Sequence, residues 1–142
     1  MPSPDVVELE VVAPQEGKPL VLKKRKDFLA AAKSGHKGVA SSLVIQMNSK
    51  PHYSPAQPSE KKPIRYGLTA SKKTGNAVCR NRCKRRMRAL VDDYLAKTGQ
   101  PGCDYILIAR HNTASIKYDR LVKDFHYAMK RAHQMQAKGA RS

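Results

Sequence analysis

Arg80, Lys84 and Arg88 recur at four-residue intervals, the spacing at which helical side chains become neighbours and like charges repel. They belong to a longer run. Between Lys61 and Val91 lie eleven basic residues and no acid: Lys61, Lys62, Arg65, Lys72, Lys73, Arg80, Arg82, Lys84, Arg85, Arg86 and Arg88. A merely solvated helix face interleaves Glu with Lys, because i,i+4 pairs of opposite sign stabilise it. A sequence that accepts the repulsion points instead to an anionic partner that relieves it. Arginine dominates the run, and guanidinium forks bind phosphate in bidentate fashion and stack on unpaired bases. The chemistry so encoded is recognition of a polyanionic backbone.

Bond cleavage by the chain itself is not encoded. A self-sufficient nuclease needs clustered carboxylates for metal ions, or a positioned acid–base pair. Asp92-Asp93 is the one adjacent acidic pair, and neighbouring helical residues point about 100° apart. His36, His52, His111, His126 and His133 are scattered, with no nucleophile motif beside them. Cys79 and Cys83 stand one turn apart without the second ligand pair that a zinc site requires, so they read as small apolar residues on a buried stripe. No catalytic residue and no metal ligand is therefore expected. Three cysteines, an odd and sparse set without a secretory signal, fit a reducing cytoplasm better than a disulfide framework. No apolar run of about 18 residues exists to span a membrane.

The rest of the chain must position that basic run. Its 142 residues fit one ordinary domain, and 28 basic against 11 acidic residues give a net charge of +17, which favours a polyanionic partner without choosing between DNA, RNA and an anionic membrane. Residues 1–19 hold four prolines and four of the acids and read as a poorly ordered extension, although Val6–Val12 has strand character. Lys26–Lys33 predicts a short helix stopped by Gly35, and Ser42–Met47 a strand. The stretch 48–63, with four prolines, predicts a loop. Ile64–Ser71 alternates, with Ile64, Tyr66, Leu68 and Ala70 on one face and Arg65, Gly67, Thr69 and Ser71 on the other. Ala77–Lys97 predicts a helix with one apolar stripe, Cys79, Cys83, Met87, Leu90, Val91 and Tyr94, leaving the arginines elsewhere and Arg80 on the border. Asp104–Arg110 is a strand covered on both faces, and a last helix runs over about Tyr118–Gln136, before a basic tail at 136–142. The order helix, strands, helix, strand, helix gives a single compact α+β domain over 20–135.

Asn76 is an N-cap for the long helix, beside Lys72 and Lys73, so free backbone N–H groups and two lysines converge on one phosphate-sized place. The run from Lys72 to Arg85, centred on Arg80-Asn81-Arg82, resembles the signature of the bacterial ribonuclease P protein family. Leu22–Phe28, Arg65-Tyr66-Gly67-Leu68 and Asp104–Arg110 resemble the family's flanking elements, so the likeness spans about residues 20–132. It implies a fold of the ribosomal protein S5 domain 2-like type with a left-handed βαβ crossover, opposite to the usual hand. It implies that Lys72, Lys73, Asn76, Arg80, Asn81, Arg82, Lys84, Arg85 and Arg88 bind RNA, and that Phe28 and Arg65 line a cleft for the 5′ leader of precursor tRNA. Ala32 and Gln46 stand where family members can carry further aromatics. The implied partners are the catalytic RNA, paired 1:1, and precursor tRNA; the implied Mg²⁺ is held mainly by RNA. The rival reading of the same charge is a basic structural ribosomal protein.

Overall fold

Asp104–Ala109 (β5) is the central strand of a five-stranded sheet in the computed structural model of the chain, which describes residues 19–49 and 63–141. The reason is the one read from its sequence: five of its six residues are buried because helices cover both faces. The remaining strands are β1 (Leu20–Val21), β2 (His36–Val39), β3 (Leu43–Asn48) and β4 (Arg65–Thr69), arranged β1-β4-β5-β3-β2. β4 runs parallel to β1 and β5, whereas β3 runs antiparallel to β5 and β2.

The longest helices among the described residues are α1 (Arg25–Ser34), α2 (Ala77–Leu90) and α3 (Tyr118–Arg141). β4 and β5 are parallel neighbours joined through α2, which makes them one βαβ unit. Alternation along the strands sorts the sheet into two faces. Leu43, Ile45, Met47, Tyr66, Tyr105 and Leu107 point into the main core with Met87, Leu90, Leu121 and Phe125 of α2 and α3. Ile106 joins Leu22 and Ala31 in a smaller cluster under α1, with Phe28 and Ile108 against it. Each large side chain so buried contributes roughly 1.5–3 kcal/mol.

Local signals account for the helix ends. Gly35 takes the left-handed conformation (φ 76°) that ends α1. The periodic stripe of α2 is buried as expected at Cys83, Met87, Leu90 and Val91. The helix does not run on regularly to Lys97, however: Val91–Leu95 forms a π-helical turn, followed by one short α-helical piece, Ala96–Thr98. The wider turn lets Leu90, Val91 and Leu95 all reach the core.

Two short strands, β1 and β2, carry no apolar alternation in the sequence. β1 pairs with the first two residues of β4, and β2 forms a hairpin with β3. β2 lacks an apolar pattern because its inward residue is Gly38, pressed so close to α3 that an added Cβ would lie 1.9 Å from the Ala128 carbonyl oxygen. The basic tail expected at 136–142 is instead continued helix up to Arg141. The strand character of Val6–Val12 and most of the Pro-rich 48–63 loop lie outside the described residues.

Asp124 ties α3 to the β2–β3 turn. Its Oδ2 accepts from the Ser42 hydroxyl (2.6 Å), the Ser41 hydroxyl (3.0 Å) and the Ser42 N–H (3.2 Å). Burial pushes its pKa up, but the Ser42 and Ser41 hydrogen bonds and the Arg120 charge outweigh it and leave a net lowering. A carboxylate with a lowered folded pKa contributes stability that is present above its unfolded pKa and lost as pH falls through the folded value. Urea unfolding at a series of pH values should therefore show stability falling below about pH 4. Asp124→Asn should remove part of that slope; an unaltered slope would reassign the acid sensitivity to other carboxylates.

Candidate nucleic-acid interface

The basic run is built on the turn that joins β4 to α2. Lys72–Thr74 forms one 3₁₀ turn, held by the Thr74 hydroxyl on the Ser71 carbonyl (2.7 Å). Gly75 follows with φ 138°, a conformation nearly closed to side chains, and a Cβ there would lie 2.9 Å from Cys79 Cβ and Sγ. Asn76 then caps α2: its Oδ1 accepts from the Cys79 N–H at 2.9 Å. Cys79 Sγ donates to the Thr74 carbonyl at 3.1 Å, so the capped turn and the first helical turn brace each other. Lys72 and Lys73 are exposed beside this helix N-terminus.

Along α2, Asn81, Arg82, Lys84, Arg85 and Arg88 are exposed, while Cys83 and Met87 face the core. Arg80 is half-buried, as its border position predicts, and its buried Nε–H has no protein acceptor. A buried donor left unpaired costs free energy that an incoming phosphate oxygen would recover. The turn and α2 thus bring Lys72, Lys73, Asn76, Arg80, Asn81, Arg82, Lys84, Arg85 and Arg88 onto one continuous element. No acid interrupts it before Asp92.

Arg86 behaves differently from its neighbours. Its guanidinium donates to the Thr113 carbonyl (2.7 Å) and the Ile116 carbonyl (2.6 Å) and lies 5.7 Å from the Tyr118 ring centroid. It ties α2 to the loop before α3 and so fixes the angle at which the exposed arginines are presented. Its position next to the apolar stripe is the one signal of this in the sequence; the acceptors, 27 and 30 residues away, leave none.

Phe28 and Arg65 sit on the other face of the sheet, under α1. The Phe28 ring covers Gly67 so closely that a Cβ there would lie 2.4 Å from Phe28 Cζ. The ring packs beside Ile106 yet stays half-buried, so it is at once a core contact and part of the surface. Arg65 is engaged: Nε donates to Asp104 Oδ1 (2.8 Å), Nη2 to Asp104 Oδ2 (2.7 Å), and Asp27 lies at 3.6 Å. Burial raises the Asp104 pKa and Arg65 opposes the rise. A small polar cleft at this place is lined by Leu22, Lys23, Lys24, Lys26, Asp27 and Arg65. β4 connects the two regions, since it begins at Arg65, passes Gly67 under Phe28 and ends just before the basic turn.

The thiols carry no evident chemistry. Burial pushes the Cys103 thiol up to about 11, and burial with the Cys79 neighbour raises that of Cys83. Among the described residues no group of three or more His, Cys, Asp or Glu side chains could hold a metal ion.

Arg82→Ala and Arg85→Ala should each weaken binding to the cognate RNA by about ten- to a hundredfold if each guanidinium makes one charge-assisted bond. Both side chains are exposed, so the melting temperature should hardly move. Filter binding paired with thermal unfolding decides it: a lowered melting temperature with unchanged affinity would assign these arginines to the fold.

Comparison with known proteins bears on this arrangement. The family described as Ribonuclease P matches residues 17–133. A ribonuclease P protein component from Ruegeria pomeroyi is 43% identical over 114 residues, covering 80% of this chain and 86% of that protein. One from Paramagnetospirillum magneticum is 38% identical over 117 residues, covering 81% and 84%. The structure of the Staphylococcus aureus RNase P protein superposes with a TM-score of 0.61 at 27% identity, covering 80% of this chain and 94% of that one. The Thermotoga maritima protein, at 20% identity and a TM-score of 0.58, shares the fold over 73% of this chain and 89% of its own.

Proposed function

Because the chain belongs to the ribonuclease P protein family, we propose that it presents the Lys72–Arg88 surface to the ribonuclease P RNA and the α1 cleft to the 5′ leader of precursor tRNA. As a protein component of ribonuclease P it works with that enzyme's RNA in tRNA processing. The comparisons lend no support to the ribosomal alternative.

One observation carries the reading: a capped helix whose exposed face bears arginines and one lysine but no acid, started by a turn that adds two lysines. Six exposed cations and the helix N-terminus make a phosphate-binding strip that needs no particular base sequence. The strip binds; it brings no group that could activate water. Hydrolysis accordingly belongs to the RNA subunit and the Mg²⁺ that RNA holds, in a 1:1 complex in the cytoplasm. The protein's contribution is to neutralise phosphates that otherwise demand more Mg²⁺ and to fix the leader near the scissile bond. Among the described residues no helix is long and apolar enough to cross a membrane.

The test is cleavage of precursor tRNA by the RNA subunit at low Mg²⁺, with and without the purified chain. Stimulation by the chain, and no cleavage by the chain alone, is the expected pair of results. Cleavage that survives rigorous removal of RNA would overturn the division of labour.

Phe28 gives the leader contact its own test. A ring stacked on a leader nucleotide is worth about 1–3 kcal/mol and tolerates any base. Phe28→Ala should therefore lower the affinity of the assembled enzyme for precursor tRNA about five- to a hundredfold more than for mature tRNA, which has no leader. Loss of the ring from Gly67 and Ile106 also removes packing, but a packing loss alone lowers both affinities alike. An unchanged ratio on folded protein would restrict Phe28 to the core.

A further inference from the structure

The last helix carries a surface that the α2 strip and the leader cleft leave unused. Its buried stripe, Leu121, Phe125, Ala128, Met129 and Ala132, faces the sheet. At about 100° per residue, Lys123, Tyr127, Lys130 and Arg131 come together on the opposite side, and all four are exposed. From Lys123 to Arg131 the face spans about 12 Å at the helical rise. Tyr127 is its centre. Lys123 lies four residues before it, and Lys130 and Arg131 three and four after it, the spacings at which helical side chains are neighbours. Tyr127 is 53% exposed, and among the described residues no other aromatic side chain is exposed.

The charge on this face is unrelieved. Arg120 is engaged, 3.5 Å from Asp124. Among the described residues, by contrast, neither Lys123 nor Lys130 has an ion pair, and Arg131 donates to the neutral amide oxygen of Gln134 (3.0 Å). Asp119, in the first turn, is the one exposed acid of α3, and no acid follows Asp124 in the chain. Lys130 also lines a groove of about 610 Å³ with Thr98, Gln100, His126, His133 and Gln134, again without an acid. A flat ring set among unpaired cations is the combination that holds single-stranded nucleic acid: the cations track the backbone and the ring stacks on a base of any kind.

Position selects which RNA. α3 packs on the same face of the sheet as α2, and Arg86 of α2 is bonded to the loop before α3. α1 and its cleft lie on the other face. An RNA seated on the α2 strip therefore meets α3 on its own side of the sheet, and a leader in the α1 cleft does not. Resting on the reading of α2 as the contact for ribonuclease P RNA, we propose that the exposed face of α3 is a second contact for that RNA. Lys123, Lys130 and Arg131 hold phosphates of an unpaired segment, and Tyr127 stacks on one of its bases.

Binding of the full chain to ribonuclease P RNA at a series of salt concentrations tests this, with Arg82→Ala as the control on α2. The triple variant Lys123→Gln, Lys130→Gln, Arg131→Gln should flatten the slope of log affinity against log salt by about 2, the share of three phosphates on a single strand, which adds to that of the α2 strip. Tyr127→Leu should weaken binding about five- to a hundredfold with the slope kept, and Tyr127→Phe should retain wild-type affinity. All four side chains are exposed, so the melting temperature should be retained in every variant. Wild-type affinity and slope in the α3 variants, beside a weakened Arg82→Ala chain, would overturn the proposal and leave the α2 reading intact. Wild-type affinity in Arg82→Ala as well would overturn both. A triple variant that loses slope while Tyr127→Leu binds like the wild type would overturn the stacking on an unpaired base.

Discussion

Raising monovalent salt from about 50 to about 200 mM should weaken binding of the chain to ribonuclease P RNA by roughly 10³-fold. The expectation follows from the exposed cations of the turn and α2: Lys72, Lys73, Arg82, Lys84, Arg85 and Arg88. If each neutralises one phosphate, the slope of log affinity against log salt is about −5 on a duplex and about −4 on single strands. Arg80 is half-buried and steepens the slope only where an RNA oxygen reaches its unpaired Nε–H. Arg86 is excluded from the sum because two backbone carbonyls already occupy its guanidinium. Equilibrium binding at a series of salt concentrations reads the slope directly. A slope near −1 would mean that the strip is not the interface. Arg86→Lys offers a control: it should leave the slope nearly unaltered while loosening the tie to the loop before α3.

The elements that carry this surface are legible in the sequence because their signals are local. The stripe Cys83, Met87, Leu90 and Val91 recurs at helical spacing, Asn76 supplies a cap oxygen three residues before Cys79, and Gly75 permits the turn. β5 is legible because a strand buried on both faces leaves an unbroken apolar run. What stays hidden depends on residues far apart in the chain. β2 has no apolar alternation, since Gly38 is inward only by virtue of Ala128 on α3, 90 residues later. The π turn at Val91–Leu95 answers to core packing rather than to any local residue. Arg65 reads as one more cation of the basic run, yet its carboxylate partner is 39 residues downstream in the neighbouring strand. For Arg65 the charge is plain in the sequence, and the partner is set by the register of the sheet.

That register also explains how one strand serves two surfaces. Arg65 pairs across the sheet with Asp104, and Gly67 with Ile106, on the face that α1 covers. Tyr66 and Leu68, between them, point into the core beneath α2. The basic strip on α2 and the cleft lined by Arg65 are therefore rigidly related through a single backbone segment. Any RNA that spans both would meet them at a fixed separation, with the ordering cost already met by the fold.

Arg65→Ala should destabilise the folded chain by about 3–5 kcal/mol, the usual consequence of removing one partner of a buried ion pair. Asp104 is fully buried, and both its oxygens accept from the Arg65 fork. Asp27, at 3.6 Å, is not a substitute partner because it is itself an acid. Burial already holds the Asp104 pKa above the ordinary carboxylate range, with Arg65 the largest opposing influence. Without Arg65 the folded-state value rises further. A group whose folded pKa is raised favours the folded state while it stays protonated and disfavours it as pH climbs through that value. The loss in Arg65→Ala should hence be larger at pH 7 than at about pH 5, and Asp104→Asn in the same chain should recover much of it. Urea unfolding of the single and double variants at both pH values measures all three effects. An Arg65 whose work is confined to touching the leader predicts the contrary: unchanged unfolding at either pH, with only precursor tRNA affinity reduced.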